Sequence, residues 1–414
     1  MSLDFQQVRQ QINALGELAP QRARQLAELR MLAAGLLEHH AEDLDALRQR
    51  VHTITRLHDP NLRCALPAIE NPEPLNAHCP LPSLLTQATV LAADGSQIAP
   101  DRHAEVNYGL INVGAVQMRV GLPDPPVVSV QSRLMYDDDL YTPGGTITEE
   151  RLSLMRDLAE RRRLVELAAV FRAQTNDRSD TGAAAPLITF TDGPMELWGA
   201  KDSADSGEFE RSLEQYHVAL SNLHDLGATT AGYVDKPYAN LVVRLLEVAS
   251  LPESKLAEAK HTHPLQGVLD RELFRPLLAL GERSAVFALQ SRSTQRYLDD
   301  LALHFFYLNV GREGHSWLAR VEIPAWVARN DLMLDNLHAV LVQQCRILGN
   351  RPYPYLLHRA HEAAVVTLEE KDQVTQMIAL ELRRRGVEVG EISYKQSAKT
   401  AGGKSRYTRR GRSQ

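Results

Sequence analysis

The 414-residue sequence predicts an α/β fold, a mixed β-sheet flanked by helices, with a helical arm ahead of it. Three observations carry that expectation. The first 54 residues repeat Leu and Ala at three- and four-residue spacing among Arg, Glu and Gln, the period of an amphipathic helix. Beyond residue 84, runs rich in Val, Ile, Thr and Tyr come first together and then alternate with helical segments, the order of a mixed sheet. Two of these runs, VLAADGS and PLITFTDGP, end on Asp-Gly, at Asp94 and Asp192.

With 44% hydrophobic and 24% charged residues the chain can bury a substantial core. No run approaches the roughly 18 uncharged apolar residues of a membrane span. The start, MSLDFQQVRQQ, carries an acid and no apolar secretory segment, so a cytoplasmic location without membrane contact is expected. Cys64, Cys79 and Cys345 form no CxxC pair, and an odd count argues against a disulfide framework. Cys64, His78 and Cys79 lack the spacing and the fourth ligand of a zinc site.

In chain order, residues 1–57 form the arm, and Pro20 is expected to divide it into two helices. A dimerisation or partner-docking arm and a helical pair folded back on the main domain are both open. Residues 58–84 carry six prolines and little periodicity and are expected to be a linker. The main domain, 85–390, begins with the strand into Asp94, followed by LINVGAVQMRV and PPVVSVQSRLM as antiparallel strands. A helix over 147–173 starts with Thr148 and acids in its first turn. The polar loop TNDRSDTGAAAP leads to the strand ending at Asp192, and an acidic loop over 201–207 follows. After it come a helix over 209–225, the strand TTAGYVD, the helix YANLVVRLLEVA, strands near SAVFALQS, HFFYLNVG and SWLARVEIPAW, and helices over 335–385. Residues 391–414 read as a disordered basic tail, because the last twenty residues hold seven Lys or Arg and no acid. The net charge of −6 discourages a nucleic-acid partner. The tail reverses that locally, as a contact for DNA phosphates or as a solubilising terminus.

Asp-Gly is first a turn signal. Here each Asp follows an apolar strand directly and no returning strand comes within two residues, which places a carboxylate where open α/β sheets bind ligands. On neighbouring strands two such acids repel unless a cation lies between them. Glu160 and Glu166, six apart on the long helix, lie on different faces and compete as a third acid. Glu166 sits inside the apolar stretch LVELAAV, where an acid is costly unless paired or metal-bound, and is preferred; pairing with Arg162 or Arg163 is its structural alternative. Glu160, in AERRR, fits a solvated salt-bridge face. In RPYPYLLHRAHEAA, Tyr353, Tyr355, His358 and His361 are further candidates, the two histidines three apart on one helical face. Lys236, ending its strand, is either a phosphate contact or an ordinary surface lysine.

The ordered set AADGS, LINVG, RRLVELAAV, TFTDGPMELW, GYVDKP and RPYPYLLHRAHEAA resembles the NurA nuclease family over about residues 85 to 385. The resemblance implies an RNase H-like core and a manganese-dependent (magnesium possible) 5′-to-3′ exonuclease on single- and double-stranded DNA, with endonuclease activity on single strands. It also implies a homodimer that processes DNA ends with the hexameric ATPase HerA. Carried over, Asp94, Glu166, Asp192, Tyr353 and His361 match the family's active-site residues, and Asp94, Glu166, Asp192 and His361 its metal ligands. The extra loop near residues 175–185 is where the alignment of Glu166 can slip to Glu160. Two rivals stand beside this reading: an actin-like or sugar-kinase-type ATPase, and a non-catalytic DNA-end adaptor for a motor.

Overall fold

The computed structural model describes residues 3–101, 104–142, 145–176, 185–198, 206–387 and 389. The expected basic tail, the acidic loop at 201–205 and residues 177–184 of the polar loop lie outside them. A 35-residue helix, α1 (Phe5–His39), opens the chain, and the Asp4 carboxylate caps it by accepting the N–H groups of Gln6 and Gln7 at 3.0 and 3.1 Å. Pro20 does not divide this helix, contrary to expectation. It leaves the carbonyl of Gly16, four residues back, without its helical N–H donor, in an exposed stretch where water can serve the freed oxygen. The break comes instead before α2 (Leu44–Leu57).

The stretch expected as a linker contributes two short strands to the sheet, β1 (Cys64–Pro67) and β2 (His78–Cys79). Their backbone groups pair with later strands, which the proline count concealed. Three strands then form an antiparallel meander, β3 (Ala88–Ile98), β4 (Gly109–Val120) and β5 (Val127–Met135). A small hairpin of β6 (Tyr141–Thr142) and β7 (Gly145–Thr146) precedes α3 (Glu149–Asn176). Then come β8 (Leu187–Asp192), α4 (Ser206–Asp225) and β9 (Ala228–Val234), with β8 parallel to β3 and β9 parallel to β8. The remaining elements are α5 (Leu241–Ser250), α6 (Asp270–Phe274), β10 (Arg283–Ser284), β11 (Phe287–Gln290), β12 (Leu303–Asn309), β13 (Leu318–Pro324), α7 (Ala325–Ala328), α8 (Asp331–Ile347), α9 (Tyr355–Ala364) and α10 (Leu368–Arg384).

Apart from the β6–β7 hairpin, the described strands make one 11-stranded mixed sheet whose main path runs β1-β11-β12-β13-β9-β8-β3-β4-β5. Within it, β5-β4-β3-β8-β9 is a meander followed by two parallel strands, each reached through a helix. That is the RNase H-like order. Alternate residues of β3 serve opposite faces. Val90 and Ala92 join a core with Ile188, Phe190 and residues of α8 and α9, while Leu91 and Ala93 join Leu164, Ala168 and Phe171 of α3. Ala33, Leu37, Leu47, Val51 and Ile54 belong to the first core, so the arm from about residue 26 onward is folded back on the main domain.

The site depends on how closely α9 approaches the sheet. Gly114 of β4 stands opposite Asp94, and a Cβ there would lie 2.5 Å from the Ala360 carbonyl oxygen and 2.7 Å from the Ala364 nitrogen. Asn112 Nδ2 donates to the Ala364 oxygen at 2.8 Å and fastens the helix end. Gly114→Ala, whose clash is with backbone, should lift α9 and cost about 1–3 kcal/mol of stability, read as a lowered denaturant midpoint. An unchanged midpoint would show that α9 does not depend on this contact.

Candidate active site

The last parallel pair between β3 and β8 is Ala93 with Thr191, so the next residue on each strand is Asp94 and Asp192. The two carboxylates predicted from sequence are therefore brought together. They share the α9 face, since Asp94 follows Val90 and Ala92 in the alternation and Asp192 follows Ile188 and Phe190. One detail differs from expectation: β3 does not stop at Asp94. It runs on to Ile98 because β4 continues to pair with it, and only the β8 side ends. β8 does end at its acid, where Gly193 takes φ 88° and donates its N–H to the Tyr233 oxygen at 2.8 Å.

Both acids are held by the segment around α9. His361 Nδ1 lies 2.7 Å from Asp94 Oδ2, and the Tyr353 hydroxyl donates to Asp192. The Tyr353 ring packs edge-on against Tyr233 with centroids 5.7 Å apart. Of the competing residues, Tyr355 packs against the larger core, and His358 Nε2 pairs with Glu362 at 3.5 Å. Asp192 is solvent-exposed as a residue, yet the chain crowding its carboxyl raises its pKa. Lost hydration contributes most, and the charges of Asp94 and Asp235 add to it. Burial first, then the Asp192 charge, pushes the Tyr353 hydroxyl far above its ordinary value, so it stays a donor.

Glu166 is not brought to this pair. Its side chain is 50% exposed and its Oε2 lies 2.8 Å from Arg163 Nη1, the structural alternative named for it. The apolar letters around it face the sheet on one side of α3 while Glu166 looks outward. The acid that reaches the site is Glu160, one and two-thirds turns earlier and 5% exposed. Arg161 fixes this helix by donating to Thr230 Oγ1, the Ala231 oxygen and Tyr216 Oη. Glu160 approaches from the opposite face of the sheet, beneath Gly95. A Cβ on Gly95 would lie 2.7 Å from Glu160 Oε1 and 2.5 Å from Arg156 Cγ, so the missing side chain makes room for the acid. Gly95 is thus a clearance inside a continuing strand.

Burial holds the Glu160 carboxyl well above the usual carboxylate range, with the charges of Asp157 and Asp94 adding to it and Arg156 and Arg161 opposing. Asp157 is raised in the same way. Sequence reasoning also passed over Asp235, which follows β9 and whose Oδ1 accepts the Trp317 indole N–H at 2.8 Å. Its signal was available, since TTAGYVD is a third apolar strand running onto an acid.

The donors suit an oxygen-preferring divalent cation in kind: two adjacent carboxylates whose mutual charge raises a pKa, a third acid under Gly95, and one imidazole. Among the described residues no three His, Cys, Asp or Glu side chains are gathered tightly enough to hold an ion as they stand.

The strand order and the two acids on adjacent parallel strands place the chain in the RNase H-like α/β class. A family model described as NurA domain matches residues 88–366, most of the sequence. The chain belongs to the NurA nuclease family, and membership supports a nuclease function. Among solved structures, the catalytic domain of human Endonuclease V matches at 16% identity over 71% of this chain and 85% of that one, with a TM-score of 0.31; the fold assignment rests on the strand order above. No curated protein matches the sequence. No described helix is long and apolar enough to cross a membrane.

A carboxyl whose pKa folding has raised contributes stability that is complete below its ordinary value, 4.5 for Glu160, and is lost as pH rises through the raised value. In chelator, Tm should therefore fall as pH rises above that point. Glu160→Gln should flatten the fall and melt higher than wild type at neutral pH, by on the order of 2 °C. A variant that melts lower at neutral pH would contradict the strained state of Glu160.

Proposed function

We propose that the protein is a metal-dependent deoxyribonuclease, and the observation that carries this reading is the in-register adjacency of Asp94 and Asp192, with His361 on one and Tyr353 on the other. Asp94, Asp192 and Glu160 would supply oxygens to a divalent cation and His361 a nitrogen. The imidazole favours Mn2+, with Mg2+ as the alternative. The cation supplies Lewis acidity toward a phosphodiester. The chain's residues do the rest. Tyr353 holds Asp192 through a hydroxyl that keeps its proton. His361 is 61% exposed and engaged through Nδ1, so Nε2 is the nitrogen free to face the cation, and Asp94 fixes the ring's orientation.

Family membership supports the finer reading: 5′-to-3′ exonuclease action on single- and double-stranded DNA, endonuclease action on single strands, and work as a homodimer beside a HerA-type hexameric ATPase in processing DNA ends. End-labelled linear DNA incubated with the protein and Mn2+, Mg2+ or chelator tests it. Nucleotide release should require the cation and should fall at least about 100-fold in Asp94→Asn, Asp192→Asn and Glu160→Gln, while Glu166→Gln stays within about twofold of wild type. Full activity in Asp94→Asn would overturn the reading, and ATP turnover without cleavage would assign the chain to the ATPases. Light scattering and co-elution with the ATPase check the dimer and the partner.

A further inference from the structure

We infer that the segment after β9, with the start of α6, forms a shelf for a single-stranded polynucleotide beside the acid pair, in which Lys236, carried on the Trp317 ring, and Arg271 face phosphates and Tyr238 faces a base. The inference rests on the nuclease reading and adds to it a binding surface.

The shelf is continuous with the site. β9 lies parallel to β8 with Tyr233 opposite Asp192, and two residues further on Asp235 is close enough for its charge to raise the pKa of both Asp192 and Tyr353. Asp235 Oδ1 takes the Trp317 indole N–H at 2.8 Å, which fixes the ring at this end of the sheet. Lys236 then adopts φ 46°, the left-handed region that a long side chain seldom occupies. Its ammonium lies 4.5 Å from the centroid of the Trp317 ring. Two residues on, Tyr238 is 80% exposed, and the Arg271 guanidinium lies 5.3 Å from its ring centroid.

The segment is also pinned from below. Asp270 is fully buried, its carboxylate accepts the N–H groups of Val242 and Val243 at 3.0 and 2.9 Å and the Tyr307 hydroxyl at 2.7 Å, and its own N–H donates to the Ala239 oxygen at 3.0 Å. Arg271 is the next residue, so the same anchor sets its place against Tyr238. An exposed aromatic ring and two cations, on a pinned ledge next to carboxylates, match what an unpaired strand needs: a face on which a base stacks and charges that follow its phosphates. A duplex keeps its bases inside and offers this ring little.

Fluorescence anisotropy of a labelled oligothymidylate in chelator, so that no cleavage occurs, tests the shelf. Tyr238→Ala and Lys236→Gly, the second chosen because glycine accepts the left-handed φ, should each weaken binding about fivefold or more. Tyr238→Phe keeps the ring and should restore wild-type affinity. Lys236→Gly should also flatten the dependence of log Kd on log salt by about 0.7. With Mn2+ present, the losses on single strands should appear in KM more than in kcat. Variants that bind and cleave like wild type overturn the shelf and leave the nuclease reading standing; a wild-type protein that neither binds nor cleaves DNA overturns both.

Discussion

The parallel, in-register pairing of β3 with β8 is the constraint on which the site depends. It sets two carboxylates side by side at neighbouring positions of a rigid sheet, where hydration is reduced and their charges oppose each other. Neighbouring features answer that conflict. Tyr353 donates a hydrogen bond to one acid, and the His361 ring contacts the other. Both residues come from the segment around α9, which lies this close only because Gly114, directly opposite Asp94, has no side chain. The glycine and the acid are one design seen from two strands.

The sheet is approached from both faces. α9 covers the acids, while α3, held by the buried Arg161, brings Asp157 and Glu160 up from the other side. Gly95 is the opening between the two. The charge of Asp94 is thereby felt on both faces, raising Asp192 on one and Glu160 on the other.

Much of this was legible in the sequence, for reasons that also mark where legibility ended. The meander, the alternating helices and the two strands running onto Asp-Gly are local patterns, and from them the adjacency of Asp94 and Asp192 in the sheet could be expected. What failed depended on partners distant in the chain. Whether β3 stops at Asp94 is decided by β4, and whether the proline-rich stretch is a linker is decided by β10 and β11. Glu166 looked buried because its neighbours are apolar, but which side of α3 faces the sheet is set by tertiary contacts, and those select Glu160. Pro20 is locally a break signal, but an exposed helix tolerates the lost hydrogen bond.

Because Asp94 lies inside a strand bonded beyond it to β4, its position is fixed by counting. A loop-borne acid can drift through insertions and deletions and still find its target. Here a single-residue slip of β3 would present Ala93 or Gly95 in its place and turn the carboxylate to the opposite face. Length changes near this acid should therefore be tolerated only in the connections outside the strand, such as that between β3 and β4, leaving the interior of β3 closed to indels over the family's divergence.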